Sequence, residues 1–176
     1  MRTLRFTSLA ALVALALALV FVQGVPAGTA NAVEPEGTLV KAIKHYRRTT
    51  ITLQSVMGHR VHFHRLRHVS LRHVRAIWRH RAVATRARFL HGPAHKSAWL
   101  CIHRYEGAWS DGGSPYYGGL QMDISFQASY GGRLLETKGT AENWTPLEQM
   151  WVAERALRSG RGFYPWPNTA RYCGLI

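Results

Sequence analysis

Glu106 is the first carboxylate after Glu36, and it stands in the segment CIHRYEGAWSD, residues 101–111, between Cys101 and Trp109. If residues 98–106 form a helix, Trp99, Ile102 and Glu106 share a face at i, i+3 and i+7. The carboxyl then ends an apolar stripe, with Trp109 within one turn's reach. A carboxyl desolvated against aromatic walls has its pKa raised and stays protonated near neutral pH. That is what a general acid needs in order to protonate a glycosidic oxygen. The same glutamate also reads as a capped or solvated residue at a helix end. A second chemical stretch follows in SPYYGGLQ, residues 114–121. Tyrosine rings such as Tyr116 and Tyr117 stack on the apolar faces of pyranose sugars, glycines let backbone approach a ligand closely, and the Gln121 amide suits an acetamido group. A tight turn carrying core tyrosines accounts for the same residues.

These side chains need elements to hold them. Ser97 is a plausible N-cap for the helix over residues 98–106. AWSDGGSPYYGGL, rich in turn formers, reads as a loop or a short irregular hairpin. Residues 120–130 suggest a second helix, with Gly131 and Gly132 as its stop. Asp123 could be a second carboxylate for catalysis, or an acid favoured by the helix dipole near an N-terminus. Thr145-Pro146-Leu147-Glu148 is a capping box with proline at the first helical position, opening a helix that ends at Gly160. It takes precedence over reading Asn143-Trp144-Thr145 as a glycosylation acceptor. GFYPWPN, residues 162–168, is too rich in proline for a helix or a central strand.

Charge divides the chain of 176 residues, whose net charge is +14. Residues 37–96 hold 14 Lys/Arg, 9 His and no Asp or Glu, whereas residues 97–176 hold 7 Lys/Arg and 7 Asp/Glu. A basic arm attached to a balanced folded domain is expected. Residues 33–37 read as a linker. The arm reads as partly helical and partly mobile: Leu66, Val69 or Ser70, Val74 and Ile77 recur at helical spacing, the β-branched content rises between residues 49 and 63, and no acid is present to form i,i+4 pairs. The Gly92-Pro93 pair ends it. His59, His62, His64, His68 and His73 fall in this arm, but surrounding arginines oppose binding of a cation. No metal site and no organic cofactor is expected.

The first 32 residues have the layout of a secretory signal peptide: Arg2 and Arg5, an apolar run over residues 9–22, and small residues at Ala30 and Ala32. The apolar run is shorter than the roughly 20 residues needed to span a bilayer. The expected organisation is therefore a signal peptide over 1–32, a basic arm over 33–96 and a folded domain over 97–176, with a secreted or cell-wall-associated location. Cys101 and Cys173 would form one disulfide in an oxidising compartment. It closes a loop of about 70 residues and is worth roughly 4 kcal/mol on the chain-entropy account.

EGAW, then SPYYGGLQ, then the acid-bearing PLEQMWVAERAL, then GFYPWP and a cysteine, in that order, resembles the catalytic domain of resuscitation-promoting factors. These are secreted, lysozyme-like peptidoglycan glycosidases of actinobacteria, also called transglycosylase-like domains. The resemblance covers residues 97–176. It implies a mainly α, lysozyme-like fold (α+β in the lysozyme manner): a compact, disulfide-stapled helical domain with a saccharide cleft. It implies cleavage between N-acetylmuramic acid and N-acetylglucosamine, with Glu106 as the catalytic acid. Trp109, Tyr117 and Gln121 fall on cleft positions; with Tyr116 and Trp166 they make up the candidate substrate-binding set. Two departures are visible. Tyr105 precedes the glutamate where the family has a cysteine, and Phe126 stands where the family has a threonine. With one essential glutamate and no clear second carboxylate, the chemistry leans to a lytic transglycosylase over a hydrolase. The expected partners are peptidoglycan glycan strands and, through residues 37–96, an anionic cell-wall polymer or membrane surface; no specific nucleic acid is expected. A non-catalytic glycan-binding module and a cationic envelope-binding protein are the competing readings.

Overall fold

The computed structural model describes residues 34–60 and 68–176, which belong to one compact unit of residues 34–176. The signal-peptide reading of residues 1–32, together with His62, His64 and Leu66, lies outside the described residues. The architecture is mainly α, with one disulfide and, among the described residues, one small sheet. In chain order the elements are α1 (Glu36–Val56), α2 (Leu71–His91), α3 (Lys96–Glu106), β1 (Tyr116–Tyr117), β2 (Met122–Asp123), α4 (Ile124–Lys138), α5 (Pro146–Ala156) and α6 (Pro167–Tyr172). No helix among the described residues is long and apolar enough to cross a membrane.

The described part of the basic region is helical, as expected in part, but residues 36 and 37 belong to the first helix and not to a linker. Helix α1 already begins at Glu36 and runs through the β-branched TTITL segment, and it packs along α2. Ser70 caps α2 by accepting from the His73 N–H, and Gly92, at φ +92°, closes it. The pair is joined to the rest of the protein by burial, not by charge. Val56 and Met57 at the end of α1, and Phe89 near the end of α2, enter the same core as Trp99, Ile102, Leu120 and Trp151. Trp151 Nε1 donates to Phe89 O at 3.1 Å, and Arg155 and Arg158 reach back to the carbonyls of Ser55 and Met57. A composition shift at residue 96 therefore marks a change in surface charge while the core runs across it. Tertiary packing supports the two helices where intrahelical ion pairs are absent.

Helix α3 forms as its apolar spacing dictates, with Trp99 and Ile102 fully buried. Its N-cap is His95, not Ser97, and no side chain caps it locally. The buried Glu154 carboxylate of α5 accepts from His95 N and from Trp99 Nε1 at 2.9 Å, so an acid from another helix sits at this N-terminus, where the helix dipole favours negative charge.

The turn-rich loop becomes a two-stranded antiparallel ladder pairing Tyr116 with Asp123 and Tyr117 with Met122. Helix α4 begins later than expected and runs straight through Gly131 and Gly132 to Gly139. Gly131 is there for contact: a Cβ at this position would lie 2.5 Å from Trp144 Cη2. The capping box at Thr145 and Glu148 is present in both directions. Helix α5 ends at Ala156 and passes into a π-type turn over Leu157–Arg161. The proline-rich stretch does start a helix, because Pro167 occupies the first turn of α6, where no amide donor is needed.

Candidate functional site

Glu106 is the last residue of α3 and is half-buried. Its carboxylate is held from the far end of the chain: Thr169 Oγ1, on α6, donates to Glu106 Oε1 at 2.7 Å. The same hydroxyl lies 3.4 Å from Trp166 O. The disulfide Cys101–Cys173 joins α3 to the residue capping α6, with a sequence separation of 72. The staple thus fixes the two helices that bring Glu106 and Thr169 together.

On the other side, Gly107 follows Glu106 and lies against Gln121 and Asp111; a Cβ there would be 3.2 Å from the Gln121 amide nitrogen and 3.3 Å from Asp111 Oδ2. Gln121 is held at φ +47°, and its Nε2 donates to Asp111 Oδ2 at 2.8 Å and to Gly118 O at 3.0 Å. A cavity of about 150 Å³ opens beyond it, bounded by Tyr116, Gln121, Asp123, Phe126, Arg161 and Trp166. Among the described residues its charged walls are Asp123 and Arg161. The Ser125 hydroxyl, and then the Phe126 amide, hold the Asp123 carboxyl below the usual carboxylate range, with a smaller contribution from Arg161. Asp123 is the N-cap of α4, its Oδ1 accepting from Phe126 N at 2.7 Å and Ser125 Oγ at 2.6 Å. Both bonds fit the helix-end role and hold the carboxylate ionised.

The candidate aromatic residues divide by exposure. Tyr116 is half-exposed on the cavity rim, and Tyr117, its neighbour on β1, turns partly into the core. Trp166 is only 4% exposed. Its indole packs edge-on to Trp99 and Phe126, and its Nε1 donates to Leu120 O. It forms the floor of the cavity as a core residue. Trp109 stacks on His103 with ring centroids 3.9 Å apart, and Gly119 lies hard against both rings. It props the hairpin. Outside the candidate set, Tyr105 and Tyr172 present a tilted pair of exposed rings at 5.7 Å on the two helices that carry Glu106 and Thr169.

Sequence reasoning assigned no role to Thr169 or Gln149. Gln149, fully buried on α5, accepts from Gly119 N through Oε1, and the two hydrogens of its Nε2 are shared among the carbonyls of Trp109, Ala141 and Trp144 at 2.8, 2.8 and 3.1 Å. It holds both ends of the loop that carries the candidate residues. A polar residue next to the apolar run at residues 150–153 was its only trace in the sequence.

Among the described residues no three His, Cys, Asp or Glu side chains converge as a metal site would require. Compared with protein-family models, with curated proteins and with solved structures, the chain matches none.

Proposed function

We propose that this protein is a secreted peptidoglycan glycosidase of lysozyme-like fold that acts as a lytic transglycosylase, with Glu106 as acid and then base. The observation that carries the reading is the half-buried Glu106 carboxylate, bonded by Thr169 and followed by Gly107, which lies against the Gln121 that lines a polar, aromatic-walled cavity. The order of the motifs in residues 97–176 supports it.

Protonated Glu106 gives its proton to the oxygen bridging N-acetylmuramic acid and N-acetylglucosamine as the C1–O bond breaks through an oxocarbenium-like state. The resulting carboxylate takes the proton of the muramic 6-hydroxyl as that oxygen attacks C1, leaving a 1,6-anhydro ring. Thr169 serves both states as a positioning residue. It donates to Oε1 of the carboxylate, and when Glu106 is protonated its hydroxyl turns toward Trp166 O and leaves its own lone pair for the acid. Tyr116, at the rim, and Gln121 hold the sugar. The basic face of α1 and α2 contacts an anionic envelope surface, an attraction that weakens as salt screens it.

The test is to incubate the protein and its Glu106→Gln variant with insoluble peptidoglycan and identify the released fragments by mass spectrometry. Anhydro-muropeptides from the wild type alone are expected. Reducing-end products would replace the transglycosylase with a muramidase. Wall binding without release would leave a glycan-binding module.

A further inference from the structure

A second cavity lies away from Glu106, between α1 and α2. It measures about 380 Å³. Arg60, Arg81 and Arg88 line it, with His80, and Trp78 and Met57 among the apolar walls. None of the three arginines is in an ion pair among the described residues. The sequence also leaves them few acids nearby, because no Asp or Glu occurs between Glu36 and Glu106 and Glu34 is taken by Arg75. Three arginines thus line one concavity with no carboxylate among its described lining residues. Such an arrangement is self-repelling, and a bound anion relieves it. The positive field extends outward: His59 has its pKa lowered by burial first, and then by Arg158 and Arg88.

The walls also carry partners for a polar ligand. Thr50 and Thr85 are buried at the cavity, and Gln54 Oε1 is buried without a hydrogen-bond partner among the described residues. Arg81 lies over the Trp78 ring at 5.1 Å, so its guanidinium is oriented by a cation–π contact. Guanidinium forks match phosphate oxygens in pairs, and several of them suit a multiply charged group better than a single carboxylate. The apolar surfaces of Trp78 and Met57 suit an organic substituent beside the charge.

We propose that the cavity between α1 and α2 is a binding site for a phosphate ester, with Arg60, Arg81 and Arg88 around the phosphate and the organic part against Trp78 and Met57. This rests on the basic-surface part of the function proposed above and narrows it from a diffuse charged face to one pocket; it is independent of Glu106. The phosphate is that of an anionic lipid headgroup or of a soluble phosphate ester.

The test measures binding of glycerol 3-phosphate to the full chain by titration calorimetry, and of phosphatidylglycerol-containing vesicles by co-sedimentation. Two double variants of equal charge change are compared: Arg81→Gln with Arg88→Gln in the cavity, and Arg72→Gln with Arg79→Gln on the exposed face of α2. Saturable binding of glycerol 3-phosphate that falls at least tenfold in the cavity variant and less than threefold in the surface variant is expected if soluble esters are the ligand. The same contrast seen only with vesicles assigns the site to the lipid headgroup. Equal losses in both variants, or no saturable binding to either probe, would overturn the pocket. Peptidoglycan release, measured in parallel on Glu106→Gln, reports on the catalytic reading separately.

Discussion

Gln149 and Gln127 allow a test in which composition is held constant and only hydrogen bonding differs. Both are fully buried, both lie inside helices, and both can be replaced by leucine at similar volume and helix propensity. Gln149→Leu removes the bond accepted from Gly119 N and the two amide hydrogens shared by three carbonyls. Ala141 O keeps a donor in Trp144 N, but Gly119 N, Trp109 O and Trp144 O lose the amide that served them. At about 1 kcal/mol for each bond, with more for each group left buried and unpaired, the loss is roughly 3–5 kcal/mol. Gln127→Leu removes one bond, to Met122 O, and also removes Oε1, which is buried without a partner among the described residues. Its cost is about 1 kcal/mol or less. Urea unfolding followed by far-ultraviolet circular dichroism should place the Gln149→Leu midpoint well below that of Gln127→Leu at an unchanged slope. Thermal midpoints should differ by roughly 10 °C. Equal shifts would mean that burial alone sets the cost and that the hub role assigned to Gln149 is wrong.

If Glu106 is the acid proposed above, Thr169→Val should lower peptidoglycan turnover by roughly tenfold to a hundredfold, the worth of a hydrogen bond to a charged group, while Thr169→Ser keeps most of the activity. Gly131→Ala should cost 1–3 kcal/mol through overpacking against Trp144, whereas Gly132→Ala, with nothing within 4 Å of its Cβ, should gain up to about 1 kcal/mol from helix propensity; thermal melts distinguish the two. Because the folded-state pKa of Asp123 is depressed, its capping contribution is complete above the unfolded value near 3.8 and is lost as pH falls through the folded value. Asp123→Asn should flatten the stability–pH curve of the protein below that point. Reducing Cys101–Cys173 should lower stability by about 4 kcal/mol, measured by denaturation with and without reductant.

Local signals in the sequence located the elements with self-contained chemistry. The Thr145–Glu148 capping box, the apolar stripe of α3, the Gly-Pro break after α2 and the pairing of the two cysteines were readable because each depends on residues close in sequence or on a unique partner. Where tertiary contact decides, reading failed. Gly131 looks like a helix stop until Trp144 is seen against it, Ser97 looks like a cap until Glu154 is seen at His95, and the basic segment looks detached until Met57 and Phe89 are found in the shared core. The candidate site shows the same division. Glu106, Tyr116 and Gln121 stand out by type and neighbourhood. Thr169 is an ordinary threonine whose meaning comes from a contact across 63 residues of chain.

The staple also determines what a proteolytic nick would do. A single backbone cut between Cys101 and Cys173, at the exposed Gly112-Gly113 turn for example, leaves two pieces that remain one covalent molecule. The helices bearing Glu106 and Thr169 stay tethered on opposite sides of the cut. Clipped protein would migrate as an intact chain on a non-reducing gel and separate into two bands only after reduction. Its persistence in the presence of proteases would then be governed by the redox state of its surroundings as much as by the number of cleavable bonds on its surface.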